Sequence, residues 1–240
     1  MKVEKLTEEE KEEKIQEGEL PKKSVRQKEN RQLIWFFVII GIVFMSFLGP
    51  YFYIQDSKTF EYAHIDWAIE DYESLRIYHG RFPVLTNPTV TFNTYLRTDP
   101  RENNIETVGE FVDFDSKAII SMSPEVDSCR GELSRVMLDL SSFLKEGLGV
   151  SEIVVGSTVQ ESATNLDRPY ATCDSVQGKT LVIVELGDES KVVQNENNKK
   201  CYTIYASSCA DLTGAEKFIV KTVDDIETML DEARAKKQEQ

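Results

Sequence analysis

KAIISMSPEVDSCRGELSRVMLDLSSFLKEGLGVSEIVVGSTV, Lys117 to Val159, carries the reading of the fold. Its opening residues, KAIISMS, are a short apolar strand that Pro124 stops. Between Asp127 and Glu146, Leu133, Val136, Met137, Leu140, Phe143 and Leu144 recur at helical steps, which predicts a helix with one apolar face. Gly147 and Gly149 end it, and Val150–Val159 is strand-like again. Strand, helix and strand with short connections make a βαβ unit whose strands run parallel.

Toward the C-terminus, KTLVIVEL (179–186), SKVVQN (190–195) and CYTIYAS (201–207) alternate with turns at Gly187–Glu189 and Glu196–Asn198. That pattern predicts an antiparallel meander. An amphipathic helix follows over Asp211–Ala233, with Leu212, Ala215, Phe218, Ile219, Val223, Ile226 and Leu230 on one face, and residues 237–240 should fray. Toward the N-terminus, FEYAHIDWAI (60–69), SLRIYHGRF (74–82) and VTFNTYL (90–96) read as two or three strands, the first equally readable as a short helix. The expected fold class is therefore mixed α/β, with helices on one sheet of about six to eight strands.

Ahead of this domain lies LIWFFVIIGIVFMSFLGPYFYI, Leu33–Ile54, which contains no charge. At about 1.5 Å per residue it reaches roughly 33 Å, enough to cross a hydrocarbon core of about 30 Å, and it reads as a transmembrane helix. Lys22, Lys23, Arg26, Lys28 and Arg31 precede it, whereas Lys58 is alone in the twenty residues after it. The positive-inside rule puts the N-terminus in the cytoplasm. The run exceeds the apolar core of a signal peptide and lacks a small-x-small cleavage site, so it reads as a single-pass signal anchor. Residues 1–32 form a charged, mostly disordered cytoplasmic tail and residues 55–236 an extracytoplasmic domain. Gly41 and Gly49 give the span a weak homodimer face.

The net charge of −14 lies beyond the span: the first 32 residues hold nine of 28 cations and nine of 42 acidic residues, leaving 19 cations against 33 anions. Such a surface repels phosphate backbones and excludes nucleic acid as a partner class. Cys129, Cys173, Cys201 and Cys209 all follow the span, an even number on the oxidising side. Their spacings suit no zinc site and contain no Cys-x-x-Cys pair, so disulfides outweigh free thiols and a metal centre. In a meander the first and third strands start at one end, which brings Cys173 to Cys201. Cys129 and Cys209 each follow a strand at the opposite end. Of three possible pairings, 173 with 201 and 129 with 209 is expected. A 201–209 link is least compatible with an extended chain of seven intervening residues.

Candidate chemistry is sparse. In LRTDPREN (96–103), Arg97 and Arg101 flank Asp99 and form the best exposed binding candidate, although neighbouring Asp99 and Glu102 can satisfy both forks locally. Gly178-Lys179-Thr180 imitates a phosphate loop but precedes a strand and lacks the upstream glycine. His64 with Asp66, and His79 with Glu70 and Asp71, sit in strand-like surroundings, and Ser121 and Ser123 have no spacing that pairs them with either imidazole. No catalytic residue, metal ligand or cofactor motif emerges. The charged tail, single span, LRTDPREN loop and CYTIYASSC run ahead of a helix together resemble single-pass membrane proteins of small-genome archaea that have no assigned activity. That resemblance implies a surface-exposed protein. The resulting expectation is a recognition or scaffold domain held at the cell membrane for a protein partner. A membrane-anchored hydrolase of cell-envelope material is the alternative, and a bitopic signalling link the third reading.

Overall fold

The computed structural model describes residues 22–84 and 86–238, with side chains over 33–49, 51–52, 58–84 and 86–237. The chain divides into two units between Ser57 and Lys58. The first contains helix α1 (Lys22–Ser57). It starts eleven residues before the apolar run; residues 1–21 lie outside the described residues. Helix propagation costs far less than nucleation, and a helix nucleated in the apolar run extends through Lys, Arg, Gln and Glu, all good helix formers. Every described side chain of α1 is exposed, including Trp35, Phe37, Phe44, Met45 and Phe47. Among the described residues no helix is long and apolar enough to cross a membrane.

The second unit opens with four antiparallel strands in sequence order, β1 (Thr59–Tyr62), β2 (Ile65–Tyr72), β3 (Leu75–Val84) and β4 (Asn87–Leu96). The run 60–69, read as one element, is instead the hairpin β1–β2. Ala63 and His64 make its tight turn with φ of 56° and 59°, the backbone a two-residue hairpin demands. In β3 the inward side chains are Tyr78, Phe82 and Val84, with Gly80 between them. A Cβ on Gly80 would lie 2.7 Å from the Trp67 ring and 2.9 Å from the Thr94 methyl, so only glycine lets Trp67 lie across the strand.

A second, six-stranded sheet comprises β5 (Glu106–Val108), β6 (Lys117–Met122), β7 (Glu152–Ser157), β8 (Thr180–Leu186), β9 (Lys191–Gln194) and β10 (Cys201–Ala206), in the order β5-β9-β10-β8-β6-β7. Strands β6 and β7 pair in parallel, as the βαβ reading requires. The short helix α2 (Pro124–Asp127), α3 (Arg130–Ser142) and a π-helical turn at Phe143–Gly147 connect them. The chain then returns through α4 (Gln160–Asn165) to β8, on the other side of β6.

The meander is a correction. β10 inserts between β8 and β9, pairing in parallel with β8 and antiparallel with β9. The reason lies in TLVIVEL, whose first five residues are buried on both faces. Such a strand belongs inside a sheet between parallel neighbours, not at the edge of a hairpin. The expectation of one sheet is likewise replaced by two, totalling ten strands.

Helix α5 (Gly214–Gln238) completes the unit, reaching past the expected end at Ala233; residues 239–240 lie outside the described residues. The π-helical turn and α5 lie between the sheets. Phe82 and Phe92 of the first sheet pack on Phe143 at centroid distances of 6.2 and 6.3 Å; Phe143 packs on Phe218 of α5 at 6.3 Å, and Phe218 on Tyr202 of β10 at 5.5 Å. This aromatic column joins both sheets through one core. The far face of the six-stranded sheet has its own cluster, in which Ile119, Leu181 and Ile183 are covered by Ala171 and Val176 of the segment after α4. Two disulfides fasten opposite ends of the parallel strands: Cys173–Cys201 before β8 and at the start of β10, and Cys129–Cys209 after β6 and after β10.

Candidate functional site

The turn after β4 holds the three residues singled out for binding, and their polar groups face the protein. Asp99 is buried. Its Oδ1 accepts from the Arg101 backbone and Nε, each at 3.0 Å, and its Oδ2 from Nη2 at 2.7 Å. This two-pronged fork holds the Asp99 carboxyl below the usual carboxylate range, against the effect of burial. The Arg101 guanidinium also lies 3.8 Å from the centroid of the Phe60 ring. Glu102 adds charge attraction to Arg101, and its backbone nitrogen, with that of Asn103, donates to the Asp99 carbonyl at 3.0 Å.

Arg97 turns elsewhere. Its Nη1 donates to Glu132 of α3 at 3.0 Å, while its backbone N–H and that of Thr98 donate to the buried carboxylate of Glu216, at 3.2 and 3.1 Å. Glu216, in the first turn of α5, also accepts from Arg135 Nη1 at 3.0 Å. Arg135 reaches Glu132 and Asp139 as well, both at 3.1 Å. Within this clamp Arg135 draws Glu132 below the usual carboxylate range, whereas burial pushes Asp139 above it. The loop is thus a latch between the first sheet and helices α3 and α5. Glu216 is the member sequence reading passed over. Its signal was an acid one turn after Leu212 and one turn before Ile219 on the apolar stripe of α5.

The nucleophile and base candidates do not converge. Ser121 is buried in β6 and donates to the Ala171 carbonyl at 2.9 Å, and Ser123 is buried before α2. His64, at the β1–β2 turn, meets Asp224 of α5 at 3.2 Å, not Asp66. Gly178-Lys179-Thr180 leads into β8, so no helix terminus faces it. Among the described residues no group of three or more His, Cys, Asp or Glu side chains is arranged to hold a metal ion. One cleft of about 430 Å³ is lined by Gly187, Asp188, Glu189, Lys191 and Tyr205; another, of about 210 Å³, lies between Glu110 and Asp225, Met229 and Glu232 of α5. Beside the first, Asp211 accepts from Ser190, from Ser207 at 2.9 Å and from Thr213 at 2.7 Å, which ties the loops together.

The richest exposed cluster lies on the outer face of the four-stranded sheet. His79 of β3 stands directly opposite Tyr95 of β4, and their rings stack at 4.5 Å with 22° between planes. His79 Nδ1 is 2.8 Å from Glu70 of β2, and Nε2 is 2.9 Å from Asn93 Oδ1 of β4, so the imidazole bridges all three strands. Tyr72 donates to the other Glu70 oxygen at 2.5 Å, and with His79 it holds Glu70 below the usual carboxylate range. Both imidazole nitrogens are engaged. The arrangement fixes ring orientation and holds no base poised over a nucleophile. No family model, curated protein or solved structure matches the chain.

Proposed function

We propose that this chain is a single-pass membrane protein whose C-terminal unit is a non-catalytic recognition or scaffold domain on the outer side. The observation that carries the reading is the succession of two unlike units. A helix with exposed Leu, Ile, Phe and Trp side chains is followed by a domain whose four cysteines are all paired in disulfides. Paired cysteines fit an oxidising, extracytoplasmic compartment, and an exposed apolar helix of this kind is at lowest free energy in lipid. The cations ahead of Leu33 favour a cytoplasmic N-terminus. The polar groups of the Arg97–Arg101 turn are engaged in the latch, which favours a recognition surface elsewhere on the domain.

Membrane extraction tests the anchor. The full chain should remain in the membrane pellet through high salt and alkaline carbonate and enter solution only with detergent. Deletion of residues 33–54 should release it. Extraction of the intact chain by carbonate alone would overturn the reading.

A further inference from the structure

The outer face of the four-stranded sheet differs from an ordinary solvated sheet surface in two respects. Its exposed aromatic ring is held in place: Tyr95, 52% exposed, rests on an imidazole that is itself bonded on both sides, to Glu70 and to Asn93. Such a ring loses little rotamer freedom when a ligand lies on it. Beside the ring stands a row of unused donors. Arg81 is directly opposite Asn93 in the register. Among the described residues, the Arg81 guanidinium and the Tyr95 hydroxyl donate to no protein group. Tyr72, 55% exposed, adds a second ring on the same face.

We propose that this face binds a neutral glycan, with a pyranose ring stacked on Tyr95 and its hydroxyls accepting hydrogen bonds from Arg81. The inference rests on the reading of the domain as an outward recognition unit and names the ligand class for it. The C–H face of a pyranose is apolar and flat, its rim carries hydroxyls, and the platform offers an apolar plane bordered by donors. Charge selects the neutral class. A domain with 19 cations against 33 anions repels a polyanionic chain, and Asp66 and Glu70 on this same face repel an acidic sugar, whereas an uncharged one approaches freely. Both rings are exposed rather than enclosed, which suits a polymer passing over them better than a small molecule that needs a cavity.

The test uses the full chain in lipid nanodiscs, free of glycoside detergent, titrated calorimetrically with unbranched hexasaccharides of glucose, mannose and galactose and with an oligogalacturonate. Saturable binding of at least one neutral oligomer is expected. Tyr95→Ala should weaken it at least about tenfold, Tyr95→Phe less than about threefold, and Arg81→Ala severalfold. Thermal unfolding of each variant checks its fold; should Tyr95→Ala be destabilised, Arg81→Ala and Tyr95→Phe decide. Absence of binding to all three neutral oligomers, equal binding by wild type and Tyr95→Ala, or tighter binding of the oligogalacturonate would each overturn the proposal. Those outcomes leave membrane extraction unaffected, so failure here is distinguishable from failure of the anchored-domain reading.

Discussion

Both sheets of the Lys58–Gln238 unit bury one face against the helices, but they use the other face differently. In the six-stranded sheet the central strands β6, β8 and β10 are buried on both faces, and both disulfides fasten their ends. In the four-stranded sheet the outer face carries exposed Tyr72 and Tyr95. The sheet is held by its inward aromatic side chains, the clamp on Glu216 and the Arg101–Asp99 fork. Stability is thus concentrated in one sheet, and a pre-oriented surface is available on the other. A surface strand whose side chains are not needed for the core is free to carry recognition chemistry.

The largest expected effect falls on the stapled sheet. Replacing Cys129 and Cys209 by serine opens a loop with a sequence separation of 80, against 28 for Cys173–Cys201. Loop-closure entropy then gives losses of about 4.5 and about 3.5 kcal/mol. Denaturant titration should rank them in that order, and equal or reversed losses would show that chain entropy does not govern the staples. Glu216→Gln keeps the shape of the clamp but leaves Arg135 without its most buried partner. Removing one member of a buried pair costs about 3 kcal/mol, read from the same titration.

Gly80→Ala drives a methyl into Trp67 and Thr94 and should cost about 2 kcal/mol, together with a shift in tryptophan fluorescence. Asp99→Asn weakens the fork on Arg101, whose guanidinium is half exposed, so screening limits the loss to about 1 kcal/mol at pH 7. The folded carboxyl titrates below its unfolded value, so its contribution is fully present above about pH 4 and disappears as pH falls through the folded value. Wild-type and Asp99→Asn stabilities should therefore draw together as pH falls below about 4, and a difference that widens in acid would contradict the ion-pair account. The smallest effect belongs to the open face: Tyr95→Ala removes a cross-strand ring stack and should cost less than about 1 kcal/mol. A large loss there would mean that the outer face is structural.

Much of this architecture is legible in the chain, because periodicity reports burial directly. Leu133, Val136, Leu140 and Phe143 mark α3, and KAIISM and EIVVGS mark the parallel pair around it. Strand neighbours are harder. TLVIVEL and CYTIYA are both apolar throughout, and a short turn after the first made a hairpin the simplest connection, although the sheet places β10 between its two predecessors. The Cys173–Cys201 reasoning did not depend on that error, since β8 and β10 start at the same end in either arrangement. The latch was half legible. Asp99 and Arg101 are two residues apart, but the partners of Arg97 lie at Glu132 and Glu216, and sequence spacing carries no information on contacts 35 and 119 residues away. The Tyr95 platform was hidden for the same reason. His79, Glu70 and Asn93 meet only once three strands are in register.

The most direct test of the central claim is labelling of intact cells with a membrane-impermeant maleimide, with and without prior reduction by an impermeant phosphine. The account predicts no labelling of Cys129, Cys173, Cys201 or Cys209 before reduction and labelling of all four after it, without permeabilisation. Labelling that requires permeabilisation, or that occurs on intact cells without reduction, would contradict an outward-facing, disulfide-fastened domain.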